Sequence, residues 1–194
     1  MTASSPRLAA LFLCAGLAGA GCAPLSHEAR TTLDPRTGVS ISVADQPLVL
    51  ARERRDLAAQ ARDYLTLIAT EINVAGTRRL LLCVHEWSTI DARARGDPAP
   101  LPTPLLVVAD GRDLWLSPLS EPPLDALALS RELARPGDAD VYTTFYPIEP
   151  EALRYLASAE HLSAALPARI PPLPFGLWRD GRAAQLRLLE AIGR

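Results

Sequence analysis

Hydrophobic and polar residues alternate through the middle of the chain, and this pattern predicts a β-rich domain. In residues 39–44 the apolar side chains fall on every second position, the period of a strand with one buried face. Residues 48–52 are predicted to form a second short strand. Residues 64–74 and 79–90 are rich in β-branched and apolar residues and flank a turn with Gly76, so they predict a long hairpin in which this glycine takes positive φ.

Further along, Asp110-Gly111 separates two short apolar runs, residues 105–109 and 114–116, which is the strongest local hairpin signal in the chain. Alternation returns in residues 141–146 and predicts another strand. Two more short strands are expected at residues 161–166 and 175–178, around a proline cluster.

Two helices are predicted after this point. Pro150 suits a first helical position, and a helix to about Ala159 is expected to bury Leu153, Leu156 and Ala157. In the last helix, Asp180 is the expected N-cap. The stripe expected to be buried in that helix consists of Ala183, Leu186, Leu189 and Ile192. The predicted fold class is α+β: a β-rich antiparallel sheet or sandwich with two helices in the C-terminal third.

Two segments between the strands have other signals. Proline at every second position in residues 98–104 predicts a polyproline-like connector, because proline cannot donate to a hydrogen-bond ladder. Residues 124–133 are a candidate for a further helix.

The N-terminus carries the signals of export. Residues 8–20 are apolar or small and uncharged, and at about 20 Å as a helix they are too short to span a ~30 Å hydrocarbon core, so they are typical of a signal peptide. The run ends in Ala18-Gly19-Ala20-Gly21-Cys22, which resembles the bacterial lipobox, with Gly19 where leucine is usual. That resemblance implies diacylglycerol on Cys22. An ordinary signal peptidase site after Ala20 is the alternative.

The predicted export signal and lipidation site define the expected domain organisation. Residues 1–21 are a signal peptide, residues 22–38 are the lipidated cysteine and a polar tether, and residues 39–194 form a single globular domain. Ala23 is not the aspartate that causes inner-membrane retention in enteric-type sorting, so the expected location is the outer membrane, facing the periplasm. Three acyl chains would hold the protein on the membrane essentially permanently.

Charge and length exclude some classes of function. The 194 residues carry 20 basic and 22 acidic side chains, a net charge of −2, which provides no basic excess for nucleic acid. No Walker A loop, dinucleotide fingerprint, nucleophile elbow or calcium-loop spacing occurs in the mature sequence. His85-Glu86 begins like a zinc-protease helix, but Thr89 stands where the second ligand would be needed. No cofactor is expected.

One pair of residues suggests chemistry. Cys83 and His85 lie two apart on a predicted strand, so they share a face and could form a thiolate–imidazolium pair or two ligands of a soft metal. A third, orienting group cannot be placed from the sequence, and a lone cysteine is most often a small buried hydrophobe. With Cys14 in the leader and Cys22 lipidated, Cys83 is the remaining thiol and no disulfide is expected. Without lipidation of Cys22, a Cys22–Cys83 bridge is the alternative.

Aromatic residues are the other candidates for function. Trp87, Trp115 and Tyr146 fall on predicted strands and are a candidate interaction surface, since Trp and Tyr are favoured interface anchors. Tyr142 and Trp178 are also expected on strands. The alternative is that all of them fill the core between the sheet and its helices.

Several stretches together carry a family resemblance. They are residues 87–91, the Ala109-Asp110-Gly111 turn, residues 147–157 and the terminal Trp-x-Asp-Gly at residues 178–181. In this order the stretches resemble those of uncharacterised proteobacterial cell-envelope lipoproteins. That resemblance implies a location in the cell envelope and a type of fold. The functional expectation is a lipid-anchored, non-catalytic binding or assembly module with an envelope protein partner. The alternatives are a periplasmic thiol enzyme or hydrolase using Cys83 and His85, and a carrier of an apolar envelope molecule.

Overall fold

A computed structural model describes residues 29–90, 102–121, 141–168 and 174–193. The described residues form ten strands and two helices. The strands are β1 Arg30–Leu33, β2 Ser40–Val43, β3 Leu48–Glu53, β4 Arg62–Val74, β5 Thr77–Ser88, β6 Leu105–Ala109, β7 Arg112–Leu116, β8 Tyr142–Pro147, β9 Leu162–Ala165 and β10 Phe175–Arg179. The helices are α1 Pro150–Ser158 and α2 Arg182–Ile192. The α+β class, with both helices in the C-terminal part, is confirmed.

All strand pairs are antiparallel, and together they build one sheet. Its longest path runs β7-β6-β9-β10-β3-β4-β5-β8. Because β5 pairs with β4 along its whole length, β3 and β2 must share the other edge of β4: β3 pairs with its first half and β2 with its second half, from Thr70 to Asn73. β1 pairs outside β2. The β4–β5 hairpin is therefore the element around which the sheet is organised.

Both predicted hairpin turns are present. Ala75 and Gly76 have φ of 50° and 90°, and Asp110 and Gly111 have φ of 47° and 78°. Two consecutive positive φ values define the turn whose twist matches that of the flanking strands. An alanine in this region is strained, whereas aspartate and glycine tolerate it.

The core lies against the middle of the β4–β5 hairpin. Ten consecutive β4 residues, Asp63 to Ile72, are buried, so this strand is covered on both faces. The largest fully buried side chains come from β3, β4, β5, β6, β8, β10 and α1: Leu48, Leu50, Leu65, Leu67, Ile68, Leu81, Leu82, Leu105, Tyr146, Leu153 and Phe175. As predicted, α1 buries Leu153, Leu156 and Ala157.

Helix α2 buries a face that is shifted from the one predicted. Its buried residues are Ala184, Gln185, Leu188 and Leu189, so Leu189 of the predicted stripe is buried, whereas Ala183 is exposed and Leu186 and Ile192 are half-buried. Its N-cap is Gly181 rather than Asp180. The reason is Gln185, whose side chain is a hydrogen-bonding partner for the sheet. Its Oε1 accepts from the Ala69 amide (2.7 Å) and its Nε2 donates to the Gln46 carbonyl (3.0 Å). This glutamine thus binds the backbone at the point along β4 where pairing with β3 ends and pairing with β2 begins.

The N-terminal boundary also differs from expectation. Strand β1 lies within residues 22–38, which were predicted to be a tether, and its pairing with β2 makes it part of the sheet. The sequence pattern did not predict this strand because three of its four residues, Arg30, Thr31 and Thr32, are polar. An edge strand needs few apolar residues. The signal peptide, Cys22, the candidate helix at 124–133 and most of the proline segment lie outside the described residues.

Candidate functional site

Seven strands contribute to one continuous row of paired residues across the sheet. The pairs link Asp113, Val108, Ser163, Gly176, Ala51, Tyr64 and Trp87, in that order. Since directly paired residues point to the same face of a sheet, these seven side chains share a face. Apart from Tyr64, all are exposed or half-buried. This face therefore presents aromatic residues at one end and small residues in its middle.

An aromatic cluster occupies the β4–β5 end of this row, formed by Tyr64, Trp87, Trp178 and Arg62. Tyr64 and Trp87 stack with ring centroids 4.1 Å apart and planes 9° from parallel, and Trp178 packs edge-on against Tyr64 at 6.1 Å. The Trp87 indole N–H donates to Thr66 Oγ1 at 3.0 Å. Stacked and T-shaped contacts of this kind contribute about 0.5–1.5 kcal/mol each beyond the area they bury, so the rings stabilise one another.

Trp178 is the solvent-facing member of the aromatic cluster. It is 54% exposed, while Tyr64 beneath it is 7% exposed. Its ring is held by the Arg62 guanidinium, which lies 4.7 Å from the ring centroid. Arg62 in turn lies 3.7 Å from the Glu53 carboxylate. The cluster thus exposes the apolar Trp178 ring and the Arg62 guanidinium above the buried Tyr64 ring.

Space is open beside the cluster. A Cβ built on Gly176 would meet no heavy atom within 4 Å, so no crowding requires a glycine here. Gly176 pairs with Ala51, and Ala51 pairs with Tyr64. Because Gly176 and Ala51 have small side chains, the surface beside Tyr64 is open. A group of a binding partner can approach the aromatic rings there.

A charged clamp fixes the same end of the sheet from the other face of β4. The Asp63 carboxylate accepts hydrogen bonds from Arg52 Nη2 at 2.8 Å and from Arg54 Nη1 at 2.9 Å. Burial favours the neutral acid, but the hydrogen bonds from Arg54, Arg52 and Ser88 outweigh it and lower the pKa of Asp63 below its ordinary value of 3.8. The Arg52 guanidinium also lies over the Phe175 ring, 4.6 Å from its centroid. The clamp ties β3, β4 and β10 together below the aromatic cluster.

Cys83 and His85 lie on the same face of β5 as Trp87, as their spacing predicts. The Cys83 sulfur is 3.9 Å from His85 Nε2, and His85 Nδ1 is 2.8 Å from Thr143 Oγ1 on β8. Thr143 is therefore an orienting group that the sequence did not reveal. Both Cys83 and His85 have 0% exposure, so in this conformation substrate has no access to the thiol. This geometry is that of a hydrogen-bonded core pair.

The three residues predicted as an interaction surface do not come together. Trp115 is 58% exposed but lies on β7, six strands from Trp87 along the sheet. Tyr146 pairs with Leu82, so it points to the opposite face from Trp87, and it is 2% exposed with its hydroxyl donating to the Thr103 carbonyl. Tyr146 is a core residue because β8 reaches the sheet with this position turned inward.

The remaining histidine of the described residues lies away from Cys83 and His85. His161 is exposed, and its backbone N–H donates to Asp110 Oδ1 at 2.7 Å, a contact that supports the β6–β7 turn. Within the described ranges, no group of three or more His, Cys, Asp or Glu side chains is arranged to hold a metal ion. No helix in the described part of the chain is long and apolar enough to cross a membrane.

Comparisons with protein-family models, with curated proteins and with solved structures find no match to this chain. Sequence reasoning placed Trp178 on a strand but missed its union with Tyr64 and Arg62, because that union depends on β10 pairing with β3, about 125 residues apart in sequence. A cation followed by an aromatic at alternate positions, Arg62 and Tyr64, is the local signal that was available.

Proposed function

We propose that the protein is a lipid-anchored protein of the cell envelope, attached through Cys22 to the outer membrane and facing the periplasm, and that it acts as a non-catalytic binding or assembly module. Its partner is an envelope protein that contacts the aromatic cluster. The observation that carries this proposal is the exposure of Trp178 on a base of buried Tyr64 and half-buried Trp87. Trp, Tyr and Arg are the residue types that dominate binding energy at protein interfaces.

The contrast with the buried pair supports a binding role over an enzymatic one. Covalent catalysis by Cys83 needs access for a substrate and donors for a developing oxyanion. Cys83 and His85 are fully buried, whereas Trp178 and Arg62 reach the surface. The groups with chemical reactivity are thus inside, and the groups suited to recognition are outside.

The first experiment tests the anchor. Cys22→Ala should abolish acyl labelling of the protein in cells and release it from the membrane fraction. If acyl labelling persists in this variant, Cys22 is not the lipidated residue.

The second experiment tests the binding surface with two exposed tryptophans as a matched pair. A photo-reactive residue at position 178, compared with one at position 115, should yield a specific adduct whose partner is then identified and purified. With that partner, Trp178→Ala should weaken affinity at least tenfold, which is about 1.4 kcal/mol. Trp115→Ala, at 58% exposure against 54%, should leave affinity unchanged.

A steric variant sharpens the second experiment. Gly176→Val would cover the open surface beside Tyr64, and its Cβ would meet no heavy atom within 4 Å, so we expect the fold to persist while binding is blocked. Equal affinity of the wild type, Trp178→Ala and Gly176→Val would show that the aromatic cluster is not the binding surface.

A further inference from the structure

Strand β7 ends the long path of the sheet, and its outer edge is open. The Asp110 N–H donates to the His161 carbonyl, so the even-numbered residues of β6 bond to β9 and the odd-numbered ones bond to β7. The odd-numbered residues of β6 pair with the even-numbered residues of β7, such as Leu114. The N–H and C=O groups of Asp113 and Trp115 therefore point away from β6. Across the ranges that the structure describes, no other strand pairs with them.

The other edge strands are protected in ways that β7 is not. On β8, the Phe145 carbonyl already accepts from the Leu119 N–H, and Pro147 has no N–H to offer a further strand. β1 is short, with four residues of which three are polar. β7 has five residues in unbroken register with β6, contains neither proline nor bulge, and has its two charged residues next to the turn. Proteins normally protect an exposed edge by such devices, so their absence from β7 indicates that this edge pairs with another strand.

Both faces of β7 offer apolar contacts to an added strand. Trp115 is 58% exposed on the outer face, and Leu114 is half-buried on the inner face. Helix α1 contacts β6 rather than the open edge, because the Tyr155 hydroxyl donates to the Ala109 carbonyl at 2.8 Å. The Arg112 guanidinium lies over the same ring, 5.2 Å from its centroid. These contacts place α1 on the inner face and leave the edge of β7 accessible.

The edge of β7 is complementary to itself. If two copies pair antiparallel about a two-fold axis at Leu114, Asp113 of each copy lies opposite Trp115 of the other, and both residues direct their backbone groups outward. Each of these pairs can exchange both of its N–H···O bonds, and Leu114 faces Leu114 between them. An axis at Asp113 would instead place two carboxylates opposite each other, which is unfavourable. An axis at Trp115 would carry the pairing past Leu116, where β7 ends.

We propose that two copies of this chain pair through the outer edges of β7, in the register centred on Leu114, so that one sheet continues from one copy into the other. The occupant is a second copy because the same residues satisfy both sides of the contact. Each Asp113 carboxylate lies opposite a Trp115 indole, which has an N–H to donate, and leucine packs on leucine. The aromatic cluster is formed by β4, β5 and β10, outside this contact, so the pair presents two such clusters.

The test is disulfide trapping of the full chain, produced in cells as two copies with different epitope tags. Directly opposite residues of a non-hydrogen-bonded pair have Cα atoms about 4.5 Å apart, which a disulfide can span, so Leu114→Cys should yield a covalent product that carries both tags. Leu33→Cys is the control, because Leu33 is 62% exposed on another edge strand and should form several times less product. The native Cys83 is fully buried and should not compete.

A matched pair of substitutions at position 113 tests the backbone pairing. Asp113→Pro removes the charge and the outward N–H, whereas Asp113→Asn removes the charge alone. Because this N–H makes no bond to β6, both variants should melt at the same temperature as the parent chain. In the Leu114→Cys chain, the proline should abolish the product with both tags and the asparagine should retain it.

A photo-reactive residue at position 115 gives a second readout without an added cysteine, and it should form an adduct of two copies. Equal product from Leu114→Cys and Leu33→Cys, or from the proline and asparagine variants, would overturn the pairing. Adducts at positions 114 and 115 that contain a different protein would overturn the second copy as occupant. Trp178→Ala should leave the product with both tags unchanged, so failure of the pairing and failure of the proposed partner contact are distinguishable.

Discussion

Asp63 and Glu71 lie on the same strand and the same face, and each side chain is 9% exposed, yet their pKa values shift in opposite directions. For Asp63, two arginines donate hydrogen bonds at 2.8 and 2.9 Å, and its pKa is lowered. For Glu71, burial raises the pKa above the ordinary 4.5, and Arg78, which is more exposed and 3.5 Å away, opposes the shift only in part.

The comparison shows that number and geometry of partners, rather than burial alone, decide whether a buried carboxylate stabilises its surroundings. At the Asp63 end, the ion pairs hold β3 and β4 under the aromatic cluster. At the Glu71 end, a charge is retained at some energetic cost near the Ala75–Gly76 turn. We therefore expect the end of the sheet that holds the aromatic cluster to be the more stable of the two.

Asp63→Ala should have the largest effect. It leaves Arg52 and Arg54 without their shared carboxylate in a poorly solvated place, and the expected loss is about 3 kcal/mol of unfolding free energy. Chemical denaturation at neutral pH would measure it. A loss no larger than that of Asp56→Ala, whose carboxylate is 60% exposed and also pairs with Arg54, would show that the clamp has little energetic weight.

His85→Ala tests the region between the two ends. The substitution leaves a cavity and removes the partner of the Thr143 hydroxyl, so the expected loss is about 2–3 kcal/mol of unfolding free energy.

The native protein should be alkylated slowly at Cys83, and His85→Ala should accelerate alkylation because the pairing of β5 with β8 loosens. Rapid alkylation of the native protein near pH 6, with loss of function in both Cys83→Ala and His85→Ala at normal abundance, would favour the thiol enzyme.

Glu71→Gln should have the smallest effect and the opposite sign. A carboxyl whose pKa is raised in the folded state destabilises the protein above that pKa, and the cost disappears as pH falls below 4.5. The glutamine variant should therefore unfold at slightly higher temperature at pH 7 and match the wild type near pH 4.

Asp63 behaves in the reverse manner on acidification. Its lowered pKa contributes stability that is present above 3.8 and is lost as pH falls through the folded pKa. Asp63→Ala more stable than the wild type at pH 7, together with Glu71→Gln less stable than the wild type at pH 7, would reverse the assignment of the two carboxylates.

Much of the fold could be predicted because its signals are local. Asp110-Gly111, Gly76 and Pro150 each determine the backbone of their own few residues, and the structure has turns or a helix start at all three. Strand β1 was missed because an edge strand with polar residues has no apolar period. The phase of α2 was wrong because Gln185 is buried by a bond to Ala69, 116 residues away.

The candidate site was predictable only in part for the same reason. The common face of Cys83 and His85 follows from a two-residue spacing, but their complete burial depends on packing from distant segments. The aromatic cluster needs β10 beside β3 before Trp178 can contact Tyr64. Tyr146 looked equivalent to Trp87 in sequence, and the register of β8 separates them onto opposite faces.

The position of β10 has a consequence for how the chain acquires its structure. This late segment pairs with β3 on one side and β9 on the other, so it joins the early strands to the β6–β7–β9 part of the sheet. Contacts between such distant segments delay folding, since the loop-closure entropy must be overcome first. A chain delivered N-terminus first cannot complete this sheet before residues 175–179 emerge, so we expect slow, late folding and strong dependence on chaperones that hold the unfinished strands apart.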